Sequence, residues 1–512
     1  MQYVIKLLNI RGLVFISMFM LLLTLLPLTD FDYFWHLKTG EYIVKLGALP
    51  QGDIFSFTYG NQPWVLHEWL FEVALYGMFA WLGPFGVKLL TATLAMSALG
   101  ITYMTLKRFT ATPSIAFGLL LAACIPFGLG ISPRPQLVTY VFFASFLYIL
   151  LSCKYYQTTR FLFALPLLMV IWVNAHGGYF VGVMLLGLFV TCEWANYLIH
   201  SGRDVAKKHQ LLRLTAVAAA TVTASAINPE FIGHWLYPFQ VAGMDVTRQI
   251  SEWKSPGFQD WGTRSYLLLV LALFISYTYM ARKPDLTEFV IPAFFMLLGF
   301  IAIRHIPLAT LTLMPFIAIA LPRNCLSQTY AFWHRTKPCQ FYKKWIGGGK
   351  QVGHGEHGLN GLLLLIIAIS LAMYYPVYNT RTANQINAIL PVKAVDFVRN
   401  AGITGHMFNS YNFGGYLIYR LYPDQKVFID GRADMYGDAF VNEYVKIAKV
   451  QPGWEQAFDK YNIDYVITGI NEPLSQLLRV RGDFRMVYAD GHHSVLVRNV
   501  PRYADIIAKY AR

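Results

Sequence analysis

Acidic residues are scarce in this chain. It holds 28 Asp and Glu among 512 residues, against 42 Lys and Arg, and only 14% of its residues are charged. With 56% hydrophobic residues and a mean hydropathy of +0.42, so little charge argues against a soluble globular protein and for a polytopic membrane protein. The net charge of +14 does not point to nucleic acid. The basic residues cluster in short loops between apolar segments, as the positive-inside rule predicts.

Cysteine is also rare. Cys124, Cys153, Cys192, Cys325 and Cys339 all lie in or beside the apolar region, at no metal-ligand spacing, and the stretch after residue 376 has none. A disulfide framework is not expected. There is no internal repeat and no low-complexity tract.

What the chain has is long apolar stretches. The N-terminal one, Leu13–Leu28, has a basic flank but no small-x-small cleavage pattern before Thr29, and reads as a retained first helix. Further spans, or cores of spans, are expected at Val87–Leu106, Ser114–Ile131, Leu137–Cys153, Phe161–Val173, Tyr179–Leu198, Leu214–Ile227, Tyr266–Met280, Phe289–Ile303, Leu308–Leu321 and Leu359–Tyr375. That is about eleven transmembrane helices.

Charge assigns the sides. The segments Lys107–Arg108, Lys154–Arg160, Gly202–Arg213 and Arg282–Lys283 and the loop Pro322–Lys350, which has no acid, are expected to be cytoplasmic. Lys6 and Arg11 join them only if His67–Leu82 is an interfacial helix and not a span. The N-terminus is then inside and the C-terminus outside. The outer loops are Thr29–Phe85, Ser132–Gln136, Asn174–Gly178, Asn228–Arg264 and Arg304–His305. From Ala383 to Arg512 the pattern changes. Apolar runs ("KVFID", "IDYVITG", "SVLVRN") alternate with helical ones ("AVDFVRNAG", "EQAFDKYN"), which predicts a small α/β domain. The expected domains are therefore residues 1–382, with the outer loop 29–85 and the cytoplasmic loop 322–358, and residues 383–512.

The unusual polar residues gather on the outer side. Asp30 and Asp32 follow the first apolar run and precede Trp35 and His36. Such a pair can bind a divalent cation through oxygen or act as a base toward an acceptor. His67 and Glu68 open the interfacial helix, where a carboxylate also suits the helix dipole. Arg134 in "ISPRPQL" and Arg304 in "IAIRHIPLA" sit at span ends. An arginine there needs an anionic partner, and guanidinium matches phosphate oxygens at two points. "WVNAHGGYF" presents His176 either as a substrate contact or as a satisfied buried turn. Nothing near it has zinc spacing. Glu252 comes from the longest central outer loop. Carboxylates and arginines on one face suggest group transfer from a lipid-phosphate carrier.

With these residues the chain resembles the GT-C superfamily of integral membrane glycosyltransferases. Four stretches resemble the oligosaccharyltransferase catalytic subunit, in that family's order. They are "DFDYFWHLKTGEYIVKLGALPQGDIFSFTYG", "QISEWKSP", "AIRHIPLATLTLMPFIAIAL" and "NSYNFGGYLIYRLYPDQKVFIDGRADMY". Two departures stand out. "SPRPQ" supplies no second acidic motif, and "SYN" (Ser410–Asn412) stands where that subunit has "WWD". Transfer of one sugar to another acceptor therefore fits better than sequon-directed N-glycosylation.

The resemblance implies a polytopic α-helical GT-C-like membrane protein with a C-terminal α/β extracytoplasmic domain, in the plasma (inner) membrane. Its donor would be a polyprenyl-linked sugar, and its partners membrane lipid and an acceptor of unknown kind, with no nucleic acid. Asp32, Asp30 and Glu252 would be catalytic, with Mg2+ or Mn2+ held by Asp32 and Glu252. Arg304, Arg134, His36, His67, Glu68, His176, Tyr411 and Asn412 would bind substrate. "DGR" at Asp430–Arg432 either shapes the acceptor side or, preferably, is a turn with a structural arginine. The second reading of the whole chain is a transporter or assembly component of an envelope polysaccharide system. It would need charges spread through the mid-spans, and the spans here are nearly free of them.

Overall fold

The structure, a computed structural model, describes residues 10–28, 30–110, 113–200, 204–245, 250–321 and 354–511. The expected loop Pro322–Lys350, with Cys325 and Cys339, lies outside the described residues, as does Lys6. The chain divides into two compact units. The first is Met1–Leu26, Lys88–Trp235 and Ile250–Tyr374; the second is Pro27–Val87, Leu236–Gln249 and Tyr375–Arg512.

The first unit is helical. It contains α1 (Ile10–Leu25), most of α4 (Pro84–Phe109), α5 (Pro113–Gly128), α6 (Gln136–Tyr156), α7 (Ala164–Ala175), α8 (Tyr179–His200), α9 (Val205–Ala224), α11 (Trp261–Thr278), α12 (Leu286–Ile301), α13 (Ile306–Ala320) and the start of α14 (His354–Ile389). Every apolar stretch picked out in the sequence falls on one of these helices. Among the described residues five helices, including α4, α6 and α8, are long and apolar enough to cross a membrane.

The core forms around α13, which is buried along nearly its whole length and packs against α5, α6, α11 and α12. Its Thr310 and Thr312 hydroxyls donate back to the Ile306 and Leu308 carbonyls (2.8 and 2.9 Å), so no polar group is left bare in the apolar surroundings. Lys154 on α6 pairs with Glu193 of α8 and, at 2.8 Å, with Asp285, the cap of α12.

One expectation fails here. The segment Gly202–Arg213, expected to be a basic loop, is largely helical. From Val205 it is the first half of α9, because Asp204 caps the helix by accepting from the Lys207 amide at 3.0 Å.

The second unit holds α2 (Tyr33–Leu46), α3 (Trp69–Leu82), α10 (Tyr237–Gly243), α15 (Val392–Asn400), α16 (Gly414–Leu421), α17 (Ala433–Ala448), α18 (Trp454–Lys460), α19 (Pro473–Val480) and α20 (Ala504–Tyr510). Its sheet has four strands, β1 (Met407–Asn409), β2 (Tyr465–Gly469), β3 (Phe484–Ala489) and β4 (His493–Arg498), in the order β1-β2-β4-β3. β1 runs parallel to β2, whereas β4 is antiparallel to both β2 and β3. "KVFID" is not a sheet strand. Only Val427 pairs, in an isolated bridge to Ser56, because this run is committed to the segment that follows α1. That segment clusters with the C-terminal one and not with the helices that flank it in sequence.

α3 is 14 residues long, a rise of about 21 Å, short of the ~30 Å of a bilayer core. It packs on α2 at Gly40, where a Cβ would lie 2.0 Å from the Glu72 carbonyl oxygen. Gly40→Ala must therefore push the helices apart, at a cost of about 1–3 kcal/mol. We expect thermal unfolding in detergent to show this loss. Gly77→Ala on α3, where a Cβ meets open space, should leave the transition unchanged or slightly raise it.

Candidate active-site groups

In the first unit three of the expected residues come together. Arg134 follows α5, in the "SPRPQ" turn. Glu252 lies in a 3-10 turn (Ser251–Trp253) and Arg304 in another (Ile303–His305) between α12 and α13. The Ile303 amide donates to the Lys254 carbonyl at 3.0 Å, which ties the last two turns together. Arg134 Nη1 lies 3.4 Å from Glu252 Oε2, and Arg304 Nη1 lies 3.7 Å from Glu252 Oε1. The Arg304 guanidinium stands 4.2 Å over the Trp253 ring.

One carboxylate thus serves two guanidinium groups at long range, and the group carries a net positive charge. The Arg134 and Arg304 side chains keep 21% and 29% of their surface exposed. Such a cluster can take an anion, and phosphate fits the forked donors best. The Mg2+ or Mn2+ ligand role expected of Glu252 would have to compete with these two guanidinium groups.

His176, also in this unit, sits in a closed turn. Its Nδ1 accepts from the Gly178 amide at 3.1 Å and lies 2.7 Å from the Thr139 hydroxyl, which itself accepts from Trp172 Nε1 at 2.9 Å. A Cβ on Gly178 would lie 2.4 Å from Thr139 Oγ1. The turn between α7 and α8 is built around these contacts.

In the second unit Asp30 and Asp32 form a tight turn. Asp30 Oδ1 accepts from the Asp32 amide at 2.9 Å, and α2 begins on Asp32, whose carbonyl accepts from the Trp35 amide at 3.1 Å. The Asp32 carboxylate lies against "DGR". A Cβ on Gly431 would be 1.9 Å from Asp32 Oδ1, so any side chain there would displace the Asp32 carboxylate. Tyr411 holds the same turn by donating its hydroxyl to the Gly431 carbonyl at 3.2 Å, and Asn412 beside it is exposed.

Arg432 is structural, as preferred from the sequence. It is 1% exposed, grips Asp430 through Nε and Nη2 (2.7 and 2.6 Å), and reaches Asp53 Oδ1 at 2.8 Å. Its guanidinium lies 4.5 Å over the Trp64 ring. Burial disfavours its charge, yet the two aspartates outweigh this and hold its pKa above the usual arginine value.

His36, one turn before Gly40 on α2, faces α3. Its Nδ1 is 3.0 Å from Glu72 Oε1 and 3.5 Å from Glu68 Oε2. Glu68 turns its other oxygen to His67 Nε2 at 3.3 Å. The His67 ring packs on Tyr237 at 4.5 Å, and the Tyr237 hydroxyl donates to Asp434 at 2.5 Å. Burial alone would lower the His67 pKa. Glu68 and Asp434 overcome it and lift the ring to about 9, so it is an imidazolium at neutral pH.

No protein-family model matches the sequence, and no curated protein is similar to it in sequence. Solved structures are similar in fold. The archaeal oligosaccharyltransferase AglB of Archaeoglobus fulgidus, in complex with an inhibitory peptide and a dolichol-phosphate, matches with a TM-score of 0.56 at 10% identity, over 96% of this chain and 74% of its own. An oligosaccharyltransferase structure from the same organism, in complex with Zn and sulfate, matches at 0.52 and 13% identity, over 95% and 73%. ArnT of Cupriavidus metallidurans, bound to undecaprenyl phosphate, matches at 0.48 and 14% identity, over 95% and 97%.

The chain has the GT-C fold. Within it, sequence reasoning overlooked Glu72, Asp53, Tyr237 and Asp434. A signal existed for Glu72, since Glu68 and Glu72 are four apart and so share a helix face. Nothing local marked Asp53, whose partner is the distant Arg432.

Removing that partner should be costly. Arg432→Leu strands two buried carboxylates, and we expect a loss of about 3–5 kcal/mol, read as a large fall in the thermal transition of the purified protein. Asp53→Asn, which leaves Arg432 its bidentate partner, should cost less.

Proposed function

We propose that this chain is a membrane glycosyltransferase that moves a sugar from a polyprenyl-phosphate or polyprenyl-pyrophosphate carrier to an acceptor on the outer face of the plasma (inner) membrane. The acceptor would belong to cell-envelope polysaccharide, lipid or protein glycosylation. In this reading the N-terminus is cytoplasmic, the helical region is the transmembrane domain, and the C-terminal domain is extracytoplasmic.

The observation that carries the proposal is the Arg134–Glu252–Arg304 group. It is a net-positive, partly exposed arginine pair at the ends of apolar helices, where only a lipid-borne anion is plentiful. The fold supports it, since the A. fulgidus AglB structure with the same fold holds a dolichol-phosphate.

The roles follow from the chemistry. The acceptor attacks the anomeric carbon as the bond to the carrier oxygen breaks. The phosphate left behind gains charge, which Arg304 and Arg134 stabilise. The proton lost by the acceptor goes to a carboxylate. Asp32 is the group we assign, with Asp30 fixing the turn that presents it. Glu252 keeps the two arginines apart and oriented.

Two substitutions separate these roles. Arg304→Ala should weaken binding of a radiolabelled undecaprenyl-linked sugar by about 10–100-fold, the worth of a charged hydrogen bond. Asp32→Asn should leave donor binding intact and cut transfer by about 10^2–10^4-fold. Transfer at the wild-type rate by Asp32→Asn would remove the assigned base. Failure of the wild-type protein to bind any polyprenyl-linked sugar would turn the reading toward a transporter or assembly component.

A further inference from the structure

The group of His36, Glu68 and Glu72 is not needed for sugar transfer as set out above, and its composition is unusual. All three side chains are buried, Glu72 completely. One donor atom from each lies within 4.8 Å of the others. Two carboxylates have been taken out of water side by side, which is unfavourable without a counter-charge. Glu68 has His67 on its outer oxygen, but the charge that could offset Glu72 is occupied elsewhere. Arg432 acts on Glu72 only from a distance, because its guanidinium is held by Asp430 and Asp53. Among the described residues no lysine or arginine forms an ion pair with Glu72. Its second oxygen, Oε2, is buried with no hydrogen-bond partner.

We propose that His36, Glu68 and Glu72 bind a divalent transition-metal ion of the Zn2+ class, which clasps α2 to α3. The spacings suit such an ion. Zinc bonds to nitrogen and oxygen of about 2.0–2.2 Å place tetrahedral donors about 3.3–3.5 Å apart. His36 Nδ1 is 3.0 Å from one carboxylate and 3.5 Å from the other, so small adjustments suffice. An imidazole beside two carboxylates selects zinc or a neighbouring first-row ion over Mg2+ and Ca2+, which prefer oxygen alone.

The surroundings are those of a built site. Glu68 is oriented by His67 on its outer oxygen, as ligand carboxylates commonly are. The Gly40 contact fixes the distance between the two helices. The sequence hides the site, because one ligand comes from α2, one from the residue before α3 and one from the first turn of α3. No Cys or His pair announces it.

The test uses the full-length chain purified in detergent, with metal content measured as purified and after EDTA. Co2+ and Zn2+ are then titrated into the stripped protein. We expect one Co2+ per chain with visible d–d absorption, displaced by Zn2+, and a thermal transition that rises on adding Zn2+. Glu72→Gln and His36→Gln should each weaken binding by more than about tenfold and abolish the rise. Glu41→Gln, an acid on α2 paired with Lys38 and Lys45, should change neither.

The proposal fails if the stripped wild-type protein takes up no stoichiometric Co2+ and unfolds alike in Zn2+ and EDTA. It also fails if both ligand variants bind metal as the wild type does. Should Glu72→Gln not fold, His36→Gln and the wild-type comparison decide. No transfer assay enters the test, so its outcome is independent of the proposed activity.

Discussion

Arg432 is buried with its charge. It lies sealed between Asp53 and Asp430, over the face of Trp64. A buried ion pair of this kind contributes little net stability, because desolvating the partners offsets most of their attraction. What it imposes is geometry, since any arrangement that separates the partners leaves bare charge in an apolar interior. The polar groups of the second unit follow from that constraint. Fixing Asp430 and Arg432 fixes Gly431 between them, and Gly431 gives the Asp32 carboxylate its place. Asp32 starts α2, and α2 sets His36 against Glu68 and Glu72. Glu68 reaches His67, His67 packs on Tyr237, and Tyr237 reaches Asp434 in the first turn of α17. That helix begins immediately after Arg432, so the chain of dependence closes on itself.

Apolar periodicity and length made the helical unit readable from the sequence, since a helix in an apolar setting has little alternative. Each apolar stretch lies on a helix, and the breaks at Asn174–Gly178 and Arg304–His305 are real turns. The α/β character of the tail was readable for similar reasons, from "IDYVITG" and "SVLVRN". The errors came where a distant partner overrode the local pattern. "KVFID" looks like a strand, but its Val427 pairs with Ser56 and its Phe428 carbonyl accepts from Thr58. Gly202–Arg213 looks like a basic loop, but a single Asp204 cap is enough to start a helix in it. Glu72 was passed over because it sits in an apolar helix, where its burial and its partner on α2 are set by a glycine contact that no local pattern contains.

Two kinds of arginine emerge, and their difference bears most directly on function. Arg432 is held by short bonds of 2.6–2.8 Å from two carboxylates and is 1% exposed. Its Nε and Nη2 are committed to the fold, and the side chain is sealed from any ligand unless the fold opens. Arg134 and Arg304 share one carboxylate at 3.4 and 3.7 Å and keep about a quarter of their surface in solvent. Those contacts are too long to be good hydrogen bonds. They hold both guanidinium groups around one carboxylate, and Trp253 supports Arg304 from its face without competing for its edge. An anion arriving at this cluster would meet oriented donors and one carboxylate too weakly engaged to oppose it. In a chain with so few charges, two arginines held around one carboxylate and partly open to solvent are the groups on which the proposed anion binding rests.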